Sequence, residues 1–519
     1  MTHSSSDGLR LLDTAEVILA RVRKKGIVLW LDNGELRLKA PKGVLNDDDV
    51  QSLRAHRTEL VGRLEMAIGA GAYERDLAPR SSREHIPLSH TQMSYWNQLK
   101  LATQPFMRQV VSATRLHGVL NLDALRESIA AVIQRQEAFR TRIEVIEGTP
   151  QQRIVAEHDF VLEVDELTAP ANGSRQREAE QWIVQHVAEL IDVTKDPLFS
   201  IRVLREGDEQ HLLLIAMQHL ITDGASMSII VREVMTAYGQ VSKGLPVSLP
   251  VIPLQFADYA LWQHEQSWIE KRAEYWERRL AGYRRVRMPR SESSERRGYG
   301  TTKLRIDRDL MAALTAQARR QHTTVVMSVF AAYVALLTRW CNSSDDIVIR
   351  FISDGRISPR LANTVGCFTF SVSMGMTVSD NPSLSELISR SAAEYSMAQD
   401  HASFSYHDAY RFREDFTQTC DFNWVTHGAA FATPADDTHD RSLKYCPVAF
   451  EHPLFETMDI DREPGVLLHD MKTEAEGMFW YPRAGFSEES MDRFARNFVC
   501  FLQILATRPH TRIKDIPIC

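Results

Sequence analysis

The sequence predicts an α/β protein whose main body has two unlike α/β halves, preceded by a small helix–β-hairpin–helix domain. Strand-like and helical stretches alternate on both sides of a charged, apolar-poor stretch at residues 284–300. Residues 32–34 read Asp-Asn-Gly between two short strand-like runs, which is the pattern of a hairpin turn. Because 519 residues exceed what one ordinary core holds, we expect more than one domain.

The composition excludes several classes of protein. Apolar content of 44% and charged content of 25% are typical of a soluble globular chain, and a net charge of −7 gives no support for nucleic-acid binding. The cysteines show neither CxxC pairs nor disulfide-framework spacing, so we expect reduced thiols and a cytoplasmic location. With neither a signal-peptide profile nor an apolar run of about 18 residues, no membrane span is expected.

The helix–hairpin–helix domain is assigned to residues 1–67. Apolar residues between 11 and 22 recur at helical spacing, strands follow at 27–31 and 36–39, and Asn46 can cap a second helix. We interpret residues 68–85 as a linker, because most of this stretch is small or polar.

The main body begins at Ile86, and we divide it into residues 86–283 and 284–519. In the first half, strands are predicted at 110–116, 139–145, 200–204 and 212–217, with helices at 122–135 and 175–190. In the second half, strands are predicted at 346–351 and 371–378 between helical stretches.

The stretch from 211 to 230 is the centre of the first half. Its apolar run, 212–217, delivers Gln218 and His219 to a segment that ends at Asp223 and Gly224. A histidine followed four residues later by Asp-Gly fits a base and the group that orients it. The pattern alone is not specific, because His3 to Gly8 also satisfies it.

Several short motifs surround this stretch in a fixed order. They resemble, in turn, SxxQxxxW, RHExLRT, HHxxxDG, YxDFAxWQ, GR and GxF. The matching residues are Ser89-His-Thr-Gln92-Met-Ser-Tyr-Trp96, Arg135-Gln-Glu137-Ala-Phe-Arg140-Thr141, Gln218-His219-Leu-Ile-Thr-Asp223-Gly224, Phe256-Ala-Asp258-Tyr-Ala-Leu-Trp262-Gln263, Gly355-Arg356 and Val365-Gly366-Cys-Phe368. Through them residues 86–519 resemble the condensation domains of nonribosomal peptide synthetases. This resemblance implies two chloramphenicol-acetyltransferase-like lobes in a V, with the active site at their junction.

The resemblance makes His219 the histidine that acts on the acceptor nucleophile. A neutral imidazole can take a proton from an amine or hydroxyl, a contribution of about 10²–10⁴-fold. It can instead orient the nucleophile and stabilise the oxyanion through a hydrogen bond, and the sequence leaves both roles open. A lone histidine in this position would more often be a buried, hydrogen-bonded one.

The residues around His219 receive supporting roles. We expect Asp223 to form an internal ion pair that fixes the loop, with Arg356 as first candidate partner and Arg135 and Arg140 behind it. Gly224 allows close backbone approach, and its amide is a candidate donor to the reacting thioester. Ser226 is either a wall of the site or a helix cap.

Gln218 departs from the signature, in which a histidine occupies its position. An amide forms hydrogen bonds as a histidine does, but it is no base at neutral pH. If the first histidine is mainly structural, glutamine is tolerated and forms part of the site wall. If it is not, the chain is a catalytically silent docking or recruitment protein.

The segment from Lys24 to Val61 resembles the amino-terminal β-hairpin docking domains of nonribosomal peptide synthetase subunits. This resemblance implies that the hairpin captures a short, often acidic carboxyl-terminal tail of an upstream synthase subunit. The exposed edge of a hairpin can accept an added strand, and Arg37, Lys39 and Lys42 would favour an acidic one. The alternative is an accessory domain with an ordinary charged hairpin.

We therefore expect a free-standing acyltransferase. It would take an acyl, peptidyl or polyketidyl chain from the phosphopantetheine thioester of a separate acyl or peptidyl carrier protein, and pass it to an amine or hydroxyl. With neither a carrier nor an adenylation box in the chain, the acceptor is expected to be a soluble small molecule, which gives chain release as an amide or ester. A carrier-bound acceptor stays open. No metal and no bound cofactor are expected.

A third reading is an acyl-CoA-dependent transferase of the same fold. Its basis is Asp421-Phe-Asn-Trp424, which resembles the DFGW box of plant-type acyl-CoA transferases. The competing interpretation of these residues is a buried strand with an aromatic pair.

Overall fold

The computed structural model describes most of the chain, which divides into two compact units, Met1–Ala78 and Pro79–Cys519. The described residues are 18, 28–32, 35–39, 47–57, 60, 77–81, 84–101, 109–157, 160–167, 174–187, 192–265, 276, 278–290, 298–356, 358–400, 419–426, 443–447 and 463–518.

The smaller unit contains the predicted hairpin and second helix. Strands β1 (Val28–Asp32) and β2 (Glu35–Lys39) pair antiparallel, and helix α1 spans Asp47–Ala55. Among the described residues of this unit, the apolar side chains of Ile18, Leu53 and Leu60 are buried. Except for Ile18, the predicted first helix lies outside the described residues, as does the cap residue Asn46.

The first half of the larger unit carries most of the site. Its strands are β3 (Ile86–Pro87), β4 (Gln109–His117), β5 (Thr141–Ile146), β6 (Thr149–Ile154), β7 (Glu163–Glu166), β8 (Phe199–Gly207) and β9 (Gln210–Gln218). Its helices are α2 (His90–Leu101), α3 (Leu122–Arg135), α4 (Ser174–Val187), α5 (Gly224–Val241) and α6 (Phe256–His264). Every strand and helix predicted for this half is present, within a few residues at each end.

The second half has its own sheet and helices. Its strands are β10 (Arg284–Arg285), β11 (Tyr299–Ile306), β12 (Ile347–Ser353), β13 (Phe370–Met376), β14 (Asp421–Thr426), β15 (Lys444–Pro447), β16 (Gly465–Asp470) and β17 (Ala475–Pro482). Its helices are α7 (Arg308–Arg320), α8 (Val325–Trp340), α9 (Leu384–Asp400) and α10 (Glu488–Thr507). The two strands predicted here, at 346–351 and 371–378, correspond to β12 and β13.

Each half is built on a separate sheet, and one strand crosses between them. The first half has a five-stranded sheet in the order β15-β4-β9-β8-β7 and a smaller sheet β3-β6-β5. The second half has a mixed sheet in the order β10-β12-β14-β16-β17-β11, with β13 paired to β12. Strand β15 therefore comes from the second half of the sequence but pairs antiparallel with β4 of the first.

Strand β9 lies at the centre of its sheet, which explains its continuous apolar run. Leu213, Ile215 and Met217 pack in the main core of the first half. Leu212 and Leu214 alternate with them and pack in a second cluster that includes Ile183 of α4. A strand covered on both faces needs apolar residues at every position rather than at every second one.

The junction between the halves differs from the predicted linker at 284–300. Arg284 and Arg285 form β10, and Val286 and Met288 are buried in the core of the second half. Trp276, Leu280 and Tyr283 belong to the same second-half core, although the prediction assigned them to the first half, residues 86–283. A few apolar residues within a charged stretch are enough to anchor that stretch to a core. The average composition of the stretch, on which the linker prediction rests, does not show them.

The predicted linker at 68–85 ends in an ordered anchor. Arg80 donates from Nη2 to Glu137, with a closest distance of 2.9 Å, and from Nη1 to Asp258 Oδ1 at 2.6 Å. Glu137 and Asp258 are both motif residues, and Asp258 is almost fully buried. These two motif carboxylates therefore hold the chain at the start of the larger unit.

Within the described part of the chain, no single helix is long and apolar enough to cross a membrane. Helices α7 and α8 pass that test only when they are counted together, across a bend of 101°.

Candidate functional site

The site is built on the turn between β9 and α5. The strand ends at Gln218, the helix begins at Gly224, and Asp223 is the residue that caps the helix. Its Oδ1 accepts a hydrogen bond from the Ser226 backbone N–H at 2.7 Å. Asp223, rather than Ser226, is therefore the helix cap, because the capping residue precedes the first helical residue.

Asp223 is fully buried and forms an ion pair with Arg356 of the second half, with Nη1 and Oδ2 3.3 Å apart. Its Oδ2 also accepts hydrogen bonds from the backbone N–H groups of Phe368 and Thr369, at 3.0 and 3.2 Å. Burial alone would raise the pKa of this carboxyl, but the Arg356 charge and the hydrogen bonds hold the pKa below its ordinary value of 3.8. The carboxylate is therefore ionised and structural, with no lone pair directed at a substrate.

Ser226 joins the same contact between the halves. Its Oγ donates to the Gly366 carbonyl at 3.0 Å and accepts from the Gly366 N–H at 3.0 Å. It also accepts from Arg356 Nη2 at 2.9 Å. With both its hydrogen and its acceptor positions engaged, the hydroxyl contributes to the junction rather than to the wall of the site.

Gln136, the second motif position where glutamine replaces a histidine, completes the junction. Its Nε2 donates to the Asn363 carbonyl at 2.9 Å and to Glu233 Oε2 at 3.1 Å, while its Oε1 accepts from the Val365 N–H at 3.1 Å. We call the set of Gln136, Asp223, Ser226 and Arg356, with the 363–369 segment that they bind, the clasp. The clasp connects helices α3 and α5 to the second half.

The two alternative partners proposed for Asp223 are wrong. Arg135 pairs with Glu233, with Nε and Oε2 3.0 Å apart, and Arg140 donates to the Val155 carbonyl. Both lie in or directly after α3, where a carboxylate or a carbonyl of their own half is closer to them. The sequence could not separate the three arginines, because the pairing crosses between segments far apart in the chain.

His219 lies beside the clasp and is only partly buried. The Tyr95 hydroxyl is 3.0 Å from its Nε2, and the two rings stack with centroids 4.2 Å apart and planes 23° from parallel. On the other side of the ring, Cys367 Sγ is 4.0 Å from Nδ1. His219 thus stands where the two halves meet, between Tyr95 of the first and Cys367 of the second.

Cys367 is not placed for nucleophilic chemistry, although it lies next to a histidine. It is fully buried, and burial raises the pKa of its thiol well above the ordinary value, with the charge of Asp223 adding to the shift. A buried thiol in this state is a soft neighbour for the imidazole rather than a thiolate.

Sequence reasoning missed both neighbours of His219. Tyr95 lies inside the first quoted motif and Cys367 inside the last, but neither position is one that the motifs specify. The specified residue Gln92 explains why that first motif lies here. Its Nε2 donates to the carbonyl of Leu220, directly after His219, at 2.7 Å.

Gln218 is not part of a site wall, contrary to the prediction. It is fully buried, at the end of β9 and opposite Gln109 of β4. Among the residues that the structure describes, neither its Oε1 nor its Nε2 has a hydrogen-bond partner. Gln218 is the last residue of β9, and strand alternation places it on the same face as Leu212 and Leu214, whereas His219 lies beyond the strand in the turn.

Gly224 is not required by packing among its described neighbours. A Cβ added there would lie 3.5 Å from Val425 Cγ1, which is an ordinary contact. The space beside the first turn of α5 is therefore open enough for an alanine.

The residues Asp421 to Trp424 form the start of β14, the buried strand that was the competing interpretation. Asp421 pairs with Arg350 of the neighbouring β12, and Phe422 and Trp424 are buried in the core. The aromatic pair therefore has a packing role, and the sequence basis for the acyl-CoA reading is lost.

The structure describes no cluster of histidine, cysteine, aspartate or glutamate side chains that could hold a metal ion. Of the hairpin residues proposed for docking, Arg37 and Lys39 lie in β2, in register with Trp30 and Val28 of β1. Lys42 lies outside the described residues.

Fold and site together define an α/β protein whose larger unit has two halves on separate sheets, with an HxxxDG turn at the junction of the halves. Residues 82–519 match the condensation domain family, and residues 16–65 match the TubC N-terminal docking domain. The chain belongs to the condensation domain family and carries a docking domain ahead of it. The recognition made from the motifs and the predicted fold class are confirmed.

The chain is similar to much longer synthetases of bacteria and fungi. It is 28% identical to one of the linear gramicidin synthase subunits of Brevibacillus parabrevis over 324 residues, which are 60% of this chain and 4% of that relative. It is 25% identical to malpibaldin synthetase of Mortierella alpina over 455 residues, which are 85% of this chain and 8% of that relative. The chain therefore spans less than a tenth of the length of these two relatives.

Two solved structures show the same fold. The X-domain from teicoplanin biosynthesis has a TM-score of 0.68 at 22% identity, covering 85% of this chain and 100% of that one. A variant of the starter condensation domain of rhizomide synthetase, solved in complex with C8-CoA and Leu-SNAC, has a TM-score of 0.70 at 17% identity. It covers 84% of this chain and 98% of that one.

Proposed function

We propose that this chain is an active condensation enzyme that transfers an acyl chain from the phosphopantetheine thioester of a separate carrier protein to an amine or hydroxyl. The observation that carries the proposal is the position of His219. The imidazole is partly exposed at the meeting of the two halves, beside a clasp that fixes the turn bearing it.

The proposed chemistry uses His219 as the base. Its Nε2 takes the proton of the acceptor N–H or O–H while the acceptor heteroatom bonds to the thioester carbonyl carbon. The amide N–H groups of Gly224 and Ala225, which precede the capped Ser226 N–H, lie at the positive end of α5, where they can stabilise the oxyanion. The tetrahedral intermediate then loses the pantetheine thiolate, which receives the proton from His219. The carrier's phosphopantetheine is the only cofactor that these steps use.

The main competing function is a silent recruitment protein. It was motivated by Gln218, but a fully buried side chain makes no contact with substrate. The replacement of histidine by glutamine at this position thus leaves the chemical group at His219 intact. The fold itself is compatible with recruitment, since the teicoplanin X-domain was also solved in a complex with OxyB.

For the acceptor, we propose a small amine or alcohol in solution, so that transfer releases the chain as an amide or ester. An acceptor carried on a second carrier protein is the competing outcome. For the donor, the complex of the rhizomide synthetase domain with C8-CoA keeps free acyl-CoA as an alternative. The same assay separates all of these.

The test uses a pantetheinylated carrier protein loaded with an acyl group, with candidate amines and alcohols, and follows the products by intact mass. We expect His219→Ala to lower turnover about 10²–10⁴-fold. The control is His510→Ala, which removes an exposed histidine and is expected to leave turnover unchanged. Equal turnover in wild type and His219→Ala would contradict the assignment of His219 as the base. If octanoyl-CoA without a carrier protein supports transfer at the same rate, the donor is acyl-CoA rather than a carrier-bound thioester.

We propose further that the hairpin of the docking domain binds the acidic carboxyl-terminal tail of an upstream synthase subunit. Binding would raise the effective concentration of the loaded carrier without changing the chemistry. The residue types at 37, 39 and 42, all basic, favour an acidic partner.

Charge reversal in the full chain tests this role. The variant Arg37→Glu, Lys39→Glu, Lys42→Glu should slow transfer from a carrier that bears the tail, and leave transfer from a tail-less carrier unchanged. The matched control reverses three exposed basic residues of the larger unit, Arg308, Lys472 and Lys514. If both triple variants behave alike with the tail-bearing carrier, the hairpin is not the docking surface.

A further inference from the structure

Tyr95 is placed to control the state of the imidazole that the proposed chemistry uses. Its ring stacks on His219 at 4.2 Å, and its hydroxyl lies 3.0 Å from Nε2. Of the two ring nitrogens, Nδ1 faces the fully buried Cys367. Nε2 is therefore the nitrogen left to meet a substrate, and it is the one that the Tyr95 hydroxyl contacts.

Tyr95 is held in this position by the backbone next to His219. Gln92, one turn earlier on α2, donates from Nε2 to the carbonyl of Leu220 at 2.7 Å and to Gln152 Oε1 at 3.0 Å. Its own Oε1 accepts from the Ser89 N–H at 2.8 Å. The helix and the histidine-bearing turn are thus tied together, so the contact between Tyr95 and His219 follows from the backbone arrangement.

The hydrogen bond bears on the tautomer of the imidazole. A neutral imidazole carries one N–H, so one nitrogen donates and the other accepts. A phenol O–H is a stronger acid than an imidazole N–H, which makes it the better donor of the pair. On the other nitrogen, the Cys367 thiol is 4.0 Å from Nδ1 and is only a weak donor and a weak acceptor, so the phenol contact at 3.0 Å is the stronger of the two. We therefore assign the hydroxyl as the donor to Nε2, which leaves the ring hydrogen on Nδ1, directed towards the Cys367 sulfur. A base that works through Nε2 needs this tautomer.

We propose that Tyr95 is a positioning residue for His219, whose hydroxyl holds the imidazole in the Nδ1–H tautomer until the acceptor nucleophile takes its place on Nε2. The proposal rests on the proposed function. When the acceptor binds, its N–H or O–H replaces the phenol O–H as the donor to Nε2. The proton then moves from the acceptor to Nε2 as the bond to the thioester carbon forms. Tyr95 gains and loses no proton in this step.

The first experiment reads the tautomer and needs no substrate. In protein with ¹⁵N-labelled histidine, long-range ¹H–¹⁵N spectra distinguish the two tautomers, and the His219→Gln variant identifies the signal among the 18 histidines. We expect the Nδ1–H form in the wild type and a shift towards the Nε2–H form in Tyr95→Phe, which keeps the stacked ring. A wild-type Nε2–H tautomer, or an unchanged signal in Tyr95→Phe, would overturn the proposal.

The second experiment is kinetic. Loss of one hydrogen bond predicts a fall in kcat of about fivefold for Tyr95→Phe, with the KM for the acceptor within about twofold. The fall should be larger with an alcohol than with an amine, because a hydroxyl depends more on the base. An equal loss with both acceptors, or a change in KM alone, would mean that Tyr95 only shapes the site.

Tyr238→Phe is the control for loss of a phenol. Tyr238 lies near the end of α5, about 20 Å along the helix from Gly224, and its hydroxyl accepts from the Asn121 N–H. It should change neither the His219 signal nor the ratio of rates between acceptors. If the wild type transfers no acyl chain while the tautomer still depends on Tyr95, the proposed function fails and the positioning of the imidazole stands.

Discussion

Gln136 and Gln218 are both fully buried glutamines of the first half, each at a motif position where a histidine is usual. Gln136 uses both ends of its amide, donating to Asn363 and Glu233 and accepting from Val365. Gln218 has no hydrogen-bond partner in the described structure, although it lies within one residue of His219. Glutamine in place of histidine therefore stabilises the contact between the halves at position 136. At position 218 it leaves a buried amide without a described hydrogen-bond partner.

The difference separates two regions that the motifs treat alike. The clasp is a dense network in which a buried charge, a hydroxyl and an amide are each satisfied across the halves. At the end of β9, Gln218 has no hydrogen-bond partner among the described residues, and the next residue, His219, lies between a phenol and a thiol. We infer that the clasp supplies stability and position, while the strand end supplies chemistry. Substitutions in the two regions should thus affect different measurements.

Asp223→Ala should have the largest effect, because it leaves Arg356 without its buried counter-charge. Removal of one member of a buried ion pair costs about 3–5 kcal/mol of unfolding free energy. Urea unfolding measures the loss, and acyl transfer should fall with it. Asp192→Ala is the control, since it breaks an exposed ion pair with Lys195 and should change stability little. Wild-type stability of the Asp223→Ala protein would show that the ion pair with Arg356 does not stabilise the fold.

Acid should weaken the same contact. The pKa of Asp223 is held below its ordinary value in the folded protein, so the carboxylate contributes stability at pH values above the unfolded pKa, about 3.9. That contribution is lost as the pH falls through the folded pKa. The difference in unfolding free energy between wild type and Asp223→Asn should therefore shrink as the pH drops below about 4. A constant difference would show that the charge of Asp223 does not stabilise the clasp.

Gln136→Leu should cost less than Asp223→Ala but more than any surface change. It removes the hydrogen-bond partner of the Val365 N–H and the Asn363 carbonyl, and because both groups are uncharged we expect a loss of about 1–3 kcal/mol in all. Gln134→Leu, at an exposed position in the last turn of α3, is the control. The ratio of rates with alcohol and amine acceptors should stay at the wild-type value, since Gln136 is not in contact with His219. A changed ratio would show that the clasp also affects the chemistry at His219, contrary to our inference.

Much of the fold could be predicted from the sequence, because the signals were local. The run at 212–217 predicts a strand buried on both faces, and Asp-Asn-Gly predicts the hairpin turn. Helix α3 begins and ends at the predicted residues because Asn121 caps it before an amphipathic stretch. By contrast, β15 crosses to the sheet of the other half, and nothing within its four residues specifies a partner more than 300 positions earlier.

The site divides in the same way. The order of the motifs identified the turn that carries His219 and Asp223, and put Arg356 first among three arginines. The contacts of Tyr95 and Cys367 with His219 depend on how α2 and the 363–369 segment pack against the turn, which no local pattern encodes. The inward direction of Gln218 does follow from strand alternation, once β9 is known to continue to that residue.

Gln218→Met should have the smallest effect and the opposite sign. Methionine has a similar length and carries no amide, so the substitution removes a buried polar group that has no partner among the described residues. We expect a gain of about 1 kcal/mol in unfolding free energy, measured in urea, and an unchanged transfer rate. Gln136→Met is the matched control, and it should lose stability. Gln218→His should not raise the rate, because a side chain at this buried position does not reach the substrate. A loss of activity in Gln218→Met would mean that the Gln218 amide takes part in transfer. It would contradict the inference that a buried side chain at this position has no role in the chemistry.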